Sequence, residues 1–303
     1  MALNSSGPIS LGGATTGQSI AVELGLSSTG TISLNQTDVR ALSTITTPNS
    51  TIIMPTNFYG KSNSFPFNLT GNDVNLRSAA LAAGWDGAKN VEATVQSGVV
   101  ILGTSTGGYA LTINGSFPAG VSLINLGTIQ GKGGTGGLGG AASGPCACYA
   151  FSQGGGTAGN NAGPAILASV PVTITNGSGI IGGGGGGGGG GQYGGSFTSS
   201  GGGGGGGAGY GTAGGVYNNN YCCASTYAQN GVLLTGGVGG TAYTCGGGGC
   251  GGITATGNPG GTGGASGNNG DSGSFGGGNA GACLVGNSNV TWVSFGTRNG
   301  PIS

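Results

Sequence analysis

The chain has 303 residues, six of them basic and six acidic, with no histidine and only 4% charged residues. That length holds about two domains at roughly 150 residues each. A zero net charge gives no footprint for nucleic acid or for an anionic membrane surface. Without His, and with few carboxylates, most acid–base catalysis and most metal sites lack parts, so no enzyme, cofactor or metal centre is expected. Disordered chains are rich in charge and poor in apolar residues, whereas this one keeps 35% apolar residues. The longest aliphatic stretches, around 99–102 and 166–174, are too short to cross a bilayer, and no membrane insertion is expected. The opening MALNSSGPIS has neither a basic region nor an apolar core and is no secretory signal.

Residues 1–62 read as one module. Alternating Ser/Thr-rich stretches at 32–34 and 51–54 suggest short strands between Gly, Asn and Pro turns. The exception is 38–43, where Gln36, Thr37 and Asp38 supply capping residues for a helical turn. Residues 63–132 read as a second small β-rich domain. The segment DVNLRSAALAAG at 73–84 has apolar residues near helical spacing, an acidic residue for the first turn and Gly84 as a stop. Strand-like runs follow at 91–95, 99–102, 110–113 and 121–129, with tight turns at 106–108 and at Asn114–Gly115. Trp85 is expected in this domain's core.

Near Gly131 the composition changes abruptly. Sixty-three of the last 171 residues are glycine, and only Asp271 and Arg298 are ionised. The extremes are ten consecutive glycines at 182–191 and seven at 201–207. The pattern is neither helical nor a two-residue alternation; it has a period of three. GGTGGLGG places Thr135 and Leu138 three apart, and glycine holds positions 261, 264, 267, 270, 273 and 276. Three residues per turn is the repeat of the polyproline II backbone, which makes no internal hydrogen bonds. The six-triplet register with Pro259 as its only proline disfavours collagen, and a flexible Gly/Ser-type spacer is the competing reading. The ordered solution is a bundle of polyglycine II helices that bond to neighbours in three directions, where an inward Cβ would push the rods apart. In that arrangement the ten-glycine run is an interior rod about 31 Å long. The expected fold is therefore mostly β and irregular. Attachment modules at 1–62 and 63–132 precede a polyglycine II domain at 133–285, and a closing strand segment occupies 286–303.

The glycine runs are repeatedly interrupted, as rods joined by turns would be. The interruptions carry seven of the nine tyrosines. Tyr149 and Phe151 lie in PCACYAFSQ, and Tyr193 and Phe197 in QYGGSFTSS. The 208–235 interval carries Tyr210, Tyr217, Asn218, Asn219, Tyr221 and Tyr227, and TAYTC carries Tyr243. Tyr, Ser, Gly and Asn are what recognition loops favour, since a rigid amphipathic ring gives contact area at low entropy cost. The competing reading has these rings merely covering rod ends. The seven cysteines are Cys146, Cys148, Cys222, Cys223, Cys245, Cys250 and Cys283. Their C-x-C, C-C and C-x4-C spacings do not match zinc sites. Loop disulfides and small buried residues both fit, and the odd count leaves at least one thiol unpaired.

Three N-terminal segments, MALNSSGPISLGG, ISLNQTDVRALS and IIMPTNFYGKS, resemble the N-termini of tail fibre and tail tip proteins of tailed bacteriophages. The interrupted glycine domain is similar to that of the distal receptor-binding adhesins on long tail fibres of T-even-type phages. The closing GNSNVTWVSFGTRNG resembles the endings of Gly-rich phage tail proteins. This resemblance implies a virion protein of the tail fibre or tail tip. It implies an N-terminal module docking to other tail proteins and loops presented to a bacterial surface protein or glycan. It also implies either a homotrimer or a monomer carried on a trimeric fibre. Two functions follow from it: a non-enzymatic adhesin, or a purely structural tail component with recognition supplied elsewhere. A glycosidase site is excluded beyond residue 132, where Asp271 is the sole carboxylate side chain.

Overall fold

The structure is a computed structural model that describes residues 2–47, 50–143, 152–192, 201–215, 228–241 and 258–303. Of these, 141–143 and 152–154 are described by backbone alone. In chain order the elements are α1 (Ile20–Glu23), α2 (Thr37–Ser43), a 3-10 turn (Thr56–Phe58), β1 (Ser64–Asn68), β2 (Val74–Asn75) and α3 (Leu76–Ala82). Next come β3 (Asn90–Val95), β4 (Val100–Leu102), β5 (Leu111–Ile113), β6 (Val121–Asn125) and β7 (Thr128–Gln130). The glycine-rich region adds β8 (Ala141–Ser143), β9 (Ser152–Gly154), β10 (Ile166–Ala168), β11 (Val172–Thr175) and β12 (Ile180–Gly182). The chain closes with β13 (Leu284–Val285), β14 (Val290–Ser294) and β15 (Thr297–Asn299). Strands and irregular chain dominate, as the composition implies.

The chain divides into two compact units. One consists of Met1–Phe67, Leu81–Glu92 and Phe117–Val121. Its core gathers Leu3, Ile9, Ile20, Val39, Leu42 and Phe58. Ser19 caps α1 by accepting from the Val22 amide at 3.2 Å. The helix expected at 38–43 is α2, but its cap differs: the Gln36 side chain turns back to accept from the Ser33 amide at 3.1 Å. The β-rich reading of 1–62 is corrected here. Among the described residues of that stretch there are helices and isolated bridges, Ala2 with Ser62 and Ser10 with Ser19, and no named strand. The apolar residues converge on one cluster from turns and helices, so no flat sheet face is needed to bury them. In the same unit Trp85 is buried as expected, stacked on Phe117 at 5.4 Å, with its indole N–H donating to the Lys89 carbonyl at 2.8 Å.

The other unit holds Asn68–Ala80, Ala93–Ser116 and Ser122–Ser303. Three strand directions recur along it, giving sheets in the order β3-β6-β11-β14, β2-β5-β10-β13 and β4-β7-β12-β15. The registered pairs in these sheets are parallel. Successive strands thus visit three sheets in turn, the signature of a parallel solenoid. Like residues stack from coil to coil: Ile101 on Ile129 on Ile181, and Val74 on Leu111 on Ile166 on Leu284. Ile101, Ile129, Ile181, Leu111 and Ile166 are fully buried. The expected strand at 121–129 is two strands, because the chain turns a solenoid corner at Leu126–Gly127. At that corner, buried Asn125 donates to the Asn176 side-chain oxygen at 2.8 Å, and Asn176 donates to the Phe295 carbonyl at 2.7 Å. Asp73, expected in the first turn of a helix, instead precedes α3 and accepts from the Thr104 amide at 2.8 Å; Asn75 accepts from the Ser78 amide.

The glycine runs leave this solenoid at one corner. A short link, 103–110, joins β4 to β5, while 131–165 joins β7 to β10 and 183–283 joins β12 to β13. Strands β10, β11 and β12 were not anticipated within the glycine-rich region, although their β-branched residues mark them. The run 182–191 is buried throughout, and none of its residues takes positive φ. Its amides donate outward in rotation. Gly184, Gly187 and Gly190 donate to Gly163, Asn160 and Thr157; Gly185, Gly188 and Gly191 donate to Ala208, Gly205 and Gly202. Gly186 and Gly189 donate to Asn268 and Asp271. Its carbonyls accept from 131–140, from 261–267 and from 275–281, again every third residue. Six neighbouring runs therefore surround this one. A Cβ on Gly183, Gly186 or Gly189 would meet a carbonyl oxygen at 1.8–1.9 Å. The six-triplet stretch 261–276 is not one run; it folds back at Ser266–Gly267 and again at 272–275.

Candidate recognition surface at one end of the glycine runs

The hydrogen bonds fix the direction of every run. Runs 131–140 and 182–191 are parallel, since Gly131 and Gly140 donate to Gly182 and Gly191. Runs 157–163 and 201–208 return antiparallel to them. Runs 211–215 and 236–241 then rise again, with Gly214 donating to Gly204 and Gly240 to Gly203. Runs 228–231, 258–264 and 275–281 descend.

One level of bonds marks the end remote from the solenoid. Gly201 donates to Gly140, Gly191 to Gly202, Gly139 to Gly215, Asn258 to Gln192 and Gly260 to Gly240, all at 2.8–3.1 Å. The segments 144–151, 193–200, 216–227 and 242–257 all depart from this level. Tyr149, Phe151, Tyr193, Phe197, Tyr217, Asn218, Asn219, Tyr221, Tyr227 and Tyr243 belong to them and lie outside the described residues. Cys146, Cys148, Cys222, Cys223, Cys245 and Cys250 lie outside them as well. What the structure brings together is the set of roots from which those segments start. The reason is directional: a chain that alternates between rising and descending runs places its long links at one end and its short turns at the other.

A fifth, short turn is described at the same end. Phe275 donates its amide to the Gly190 carbonyl, and Asn258 donates to the Ser274 hydroxyl at 2.9 Å. The Phe275 ring lies over Gly156, where a Cβ would meet ring carbons at 2.6 and 2.8 Å. Beside it Leu138 is 44% exposed, and its amide donates to the Thr157 hydroxyl at 2.8 Å. Asp271 is the sole charge among the described residues of this end. Phe275 carries a readable signal, an aromatic ring inside a glycine interval, but is not among the aromatic candidates of the sequence.

Two residues lie elsewhere. Tyr210 sits in the turn at the solenoid end, where Lys132 donates its ammonium to the Tyr210 carbonyl at 2.8 Å. The 208–235 interval is thus not one loop but two runs around the 216–227 segment. Cys283 is a buried free thiol next to β13, and burial pushes its pKa up to about 11 against the opposing pull of Arg298. Among the described residues no group of His, Cys, Asp and Glu could hold a metal ion.

The gp37-gp38 adhesin tip complex of the bacteriophage S16 long tail fiber, a crystal structure, shares this fold. The match has a TM-score of 0.57 and 23% identity over 97% of this chain and 100% of that chain. No curated protein matches. The family model described as phage tail fibre adhesin Gp38 matches residues 62–303, a span that takes in the solenoid strands from β1 onward and every glycine run. The chain belongs to the phage tail fibre adhesin Gp38 family.

Proposed function

We propose that this virion tail fibre protein is a non-enzymatic adhesin whose runs are polyglycine II helices and whose receptor contacts come from the links at one end. The observation that carries this reading is the common departure level of 144–151, 193–200, 216–227 and 242–257. These four segments hold six of the nine tyrosines and no charged residue. The three-way rotation of hydrogen bonds around 182–191 supports the polyglycine II assignment, because that backbone points its polar groups outward at 120° intervals. A lattice of this kind is stiff, and loops on a stiff scaffold are where recognition concentrates. The segment 1–62 serves as the docking module to another tail fibre protein, and the solved relative was likewise crystallised with a fibre partner, gp37. The receptor is a bacterial surface protein or glycan.

The test replaces 216–227 with a Gly/Ser/Asn segment of equal length, leaving the runs 211–215 and 228–231 intact. Phage carrying the variant should incorporate it normally and lose or change adsorption to the host. The reading fails if adsorption stays unchanged after the same replacement in all four segments.

A further inference from the structure

We propose that the last solenoid coil, β13–β15, is a docking edge that takes an extended, acidic segment of another virion tail fibre protein as its next strand. This coil stands at the end of all three sheets, so β14 and β15 have a neighbour on one side only. Beside β13 a further turn has already begun. Ile302 bridges Leu284 in parallel, Cys283 donates its amide to the Pro301 carbonyl at 2.8 Å, and Ser303 donates to the Leu284 carbonyl at 3.1 Å. Among the described residues no strand lies outside β14 or β15. An edge strand turns alternate N–H and C=O groups outward, and native sheets cover, shorten or charge such edges unless a partner pairs with them.

A solenoid end that faces water needs a polar outer face, and this one is apolar. Val293 is 65% exposed and Phe295 55% exposed. The row Ile101, Ile129 and Ile181 continues in register to Arg298, so a guanidinium stands where the next isoleucine would be. It lies 4.9 Å from the centroid of the Trp292 ring and 4.5 Å from that of Phe295. Among the described residues it has no carboxylate partner, and Arg298 is the sole basic residue after Lys132. Rings over a guanidinium exclude water from its faces and leave its N–H edge to bond in plane, where a carboxylate fits in a bidentate pair.

Charge and backbone together select the occupant. A second copy meeting this edge with its own last coil would bring another Arg298 and no acidic side chain, since 284–303 contains neither Asp nor Glu. A strand from a different protein can supply both the missing ladder bonds and the carboxylate, the mode of strand addition to a sheet edge. The virion is the source because this coil lies where the glycine runs meet the solenoid, remote from the level at which the proposed receptor contacts depart. That choice of source rests on the recognition reading above; the open edge and its unpaired cation do not.

The experiment uses the full-length chain on purified phage particles. The photo-crosslinker p-benzoylphenylalanine replaces Val293, the particles are irradiated, and the adducts are mapped by mass spectrometry. An adduct to a tail fibre protein, in a segment that contains Asp or Glu, is expected. No adduct, an adduct to a second copy of this chain, or an adduct to a segment without a carboxylate overturns the proposal. Arg298→Glu should lower the amount of this chain per particle by about tenfold, as loss of a paired charge at an interface does. Melting of the isolated variant checks that it folds; a folded Arg298→Glu chain incorporated at the parental level also overturns the proposal, and if the variant does not fold the crosslink decides alone. The same crosslinker at Ile53, 57% exposed within 1–62, reads the docking of that module separately. Host adsorption of the crosslinker-bearing phage before irradiation tests the recognition reading, so each of the three can fail by itself.

Discussion

A Cβ placed on Gly187 would lie 2.0 Å from the carbonyl oxygen of Thr135. Both atoms are backbone-fixed, so neither can swing aside as a flexible side chain would. Gly187→Ala must spread two runs or break the bonds of Gly187 to Asn160 and of Gly278 to Gly187. We expect a loss on the order of 3–5 kcal/mol, or no folded protein at all. Gly276 is equally glycine-rich in context but has open space where its Cβ would go. Gly276→Ala should stay within about 0.5 kcal/mol of the parent. Calorimetric melting of the two variants measures the contrast; equal melting temperatures would rule out close packing as the reason for glycine.

Asn176 joins three coils of the solenoid. Its side-chain oxygen accepts from Asn125, and its amide donates to the carbonyls of Phe295 and Thr297 at 2.7 and 3.1 Å. It is fully buried. Asn176→Leu keeps the branching of the side chain but removes this donor from the two carbonyls and the acceptor from the buried Asn125 amide, at about 1–3 kcal/mol for a buried group left unpaired. We expect roughly 3 kcal/mol of destabilisation by urea titration. A loss below about 0.5 kcal/mol would mean that water replaces the side chain.

These two residues also show what the sequence made legible. The demand for glycine around Gly187 was visible because every neighbouring run imposes the same steric limit, so glycine fills the whole stretch 182–191, whereas the six-triplet register at 261–276 spans two turns. The strands at 91–95 and 110–113 were visible through ordinary alternation. The partnership of Asn125 and Asn176 was not, because it spans 51 residues and rests on coil-to-coil register that no local pattern encodes. For the same reason β10–β12 were hidden within the glycine region: Ile166, Val172 and Ile181 are sized for a core whose other coils lie far away in the chain. The shared end of the four links followed only once each run had a direction. In the unit that holds Met1–Phe67 the alternation at 32–34 misled, since Ile32 and Leu34 pack against a cluster rather than a sheet.

Cys283 gives a pH dependence of known sign. Its thiol is raised from 9.0 to about 11 in the folded protein, first by burial, with Arg298 pulling the other way. The folded state therefore holds a proton that the unfolded chain releases in between. Stability from this group is fully present below about pH 9 and falls as pH rises toward 11. Denaturation followed between pH 8 and 11 should show this fall, and Cys283→Ala should flatten it. An identical slope in the variant would assign the alkaline loss to other groups.

The proposed placement of the receptor contact at the ends of the glycine runs makes a prediction about salt. The links 144–151, 193–200, 216–227 and 242–257 contain no Asp, Glu, Lys or Arg, and Asp271 is the one charge described beside their roots. Contacts made by Tyr, Asn and Ser depend on shape and hydrogen bonding, which salt scarcely screens, whereas exposed charge pairs weaken as the Debye length falls. Adsorption of phage to host cells should therefore change less than about twofold between roughly 0.05 and 0.3 M sodium chloride, a range over which charge-steered association falls steeply. All but two of the chain's charges lie within residues 1–132. A steep loss of adsorption with salt would accordingly move the receptor contact away from the tip and toward that charged part of the chain. Repeating the titration with Asp271→Asn separates the one remaining charge: a salt response that disappears in this variant still places the contact at the tip, and one that persists does not.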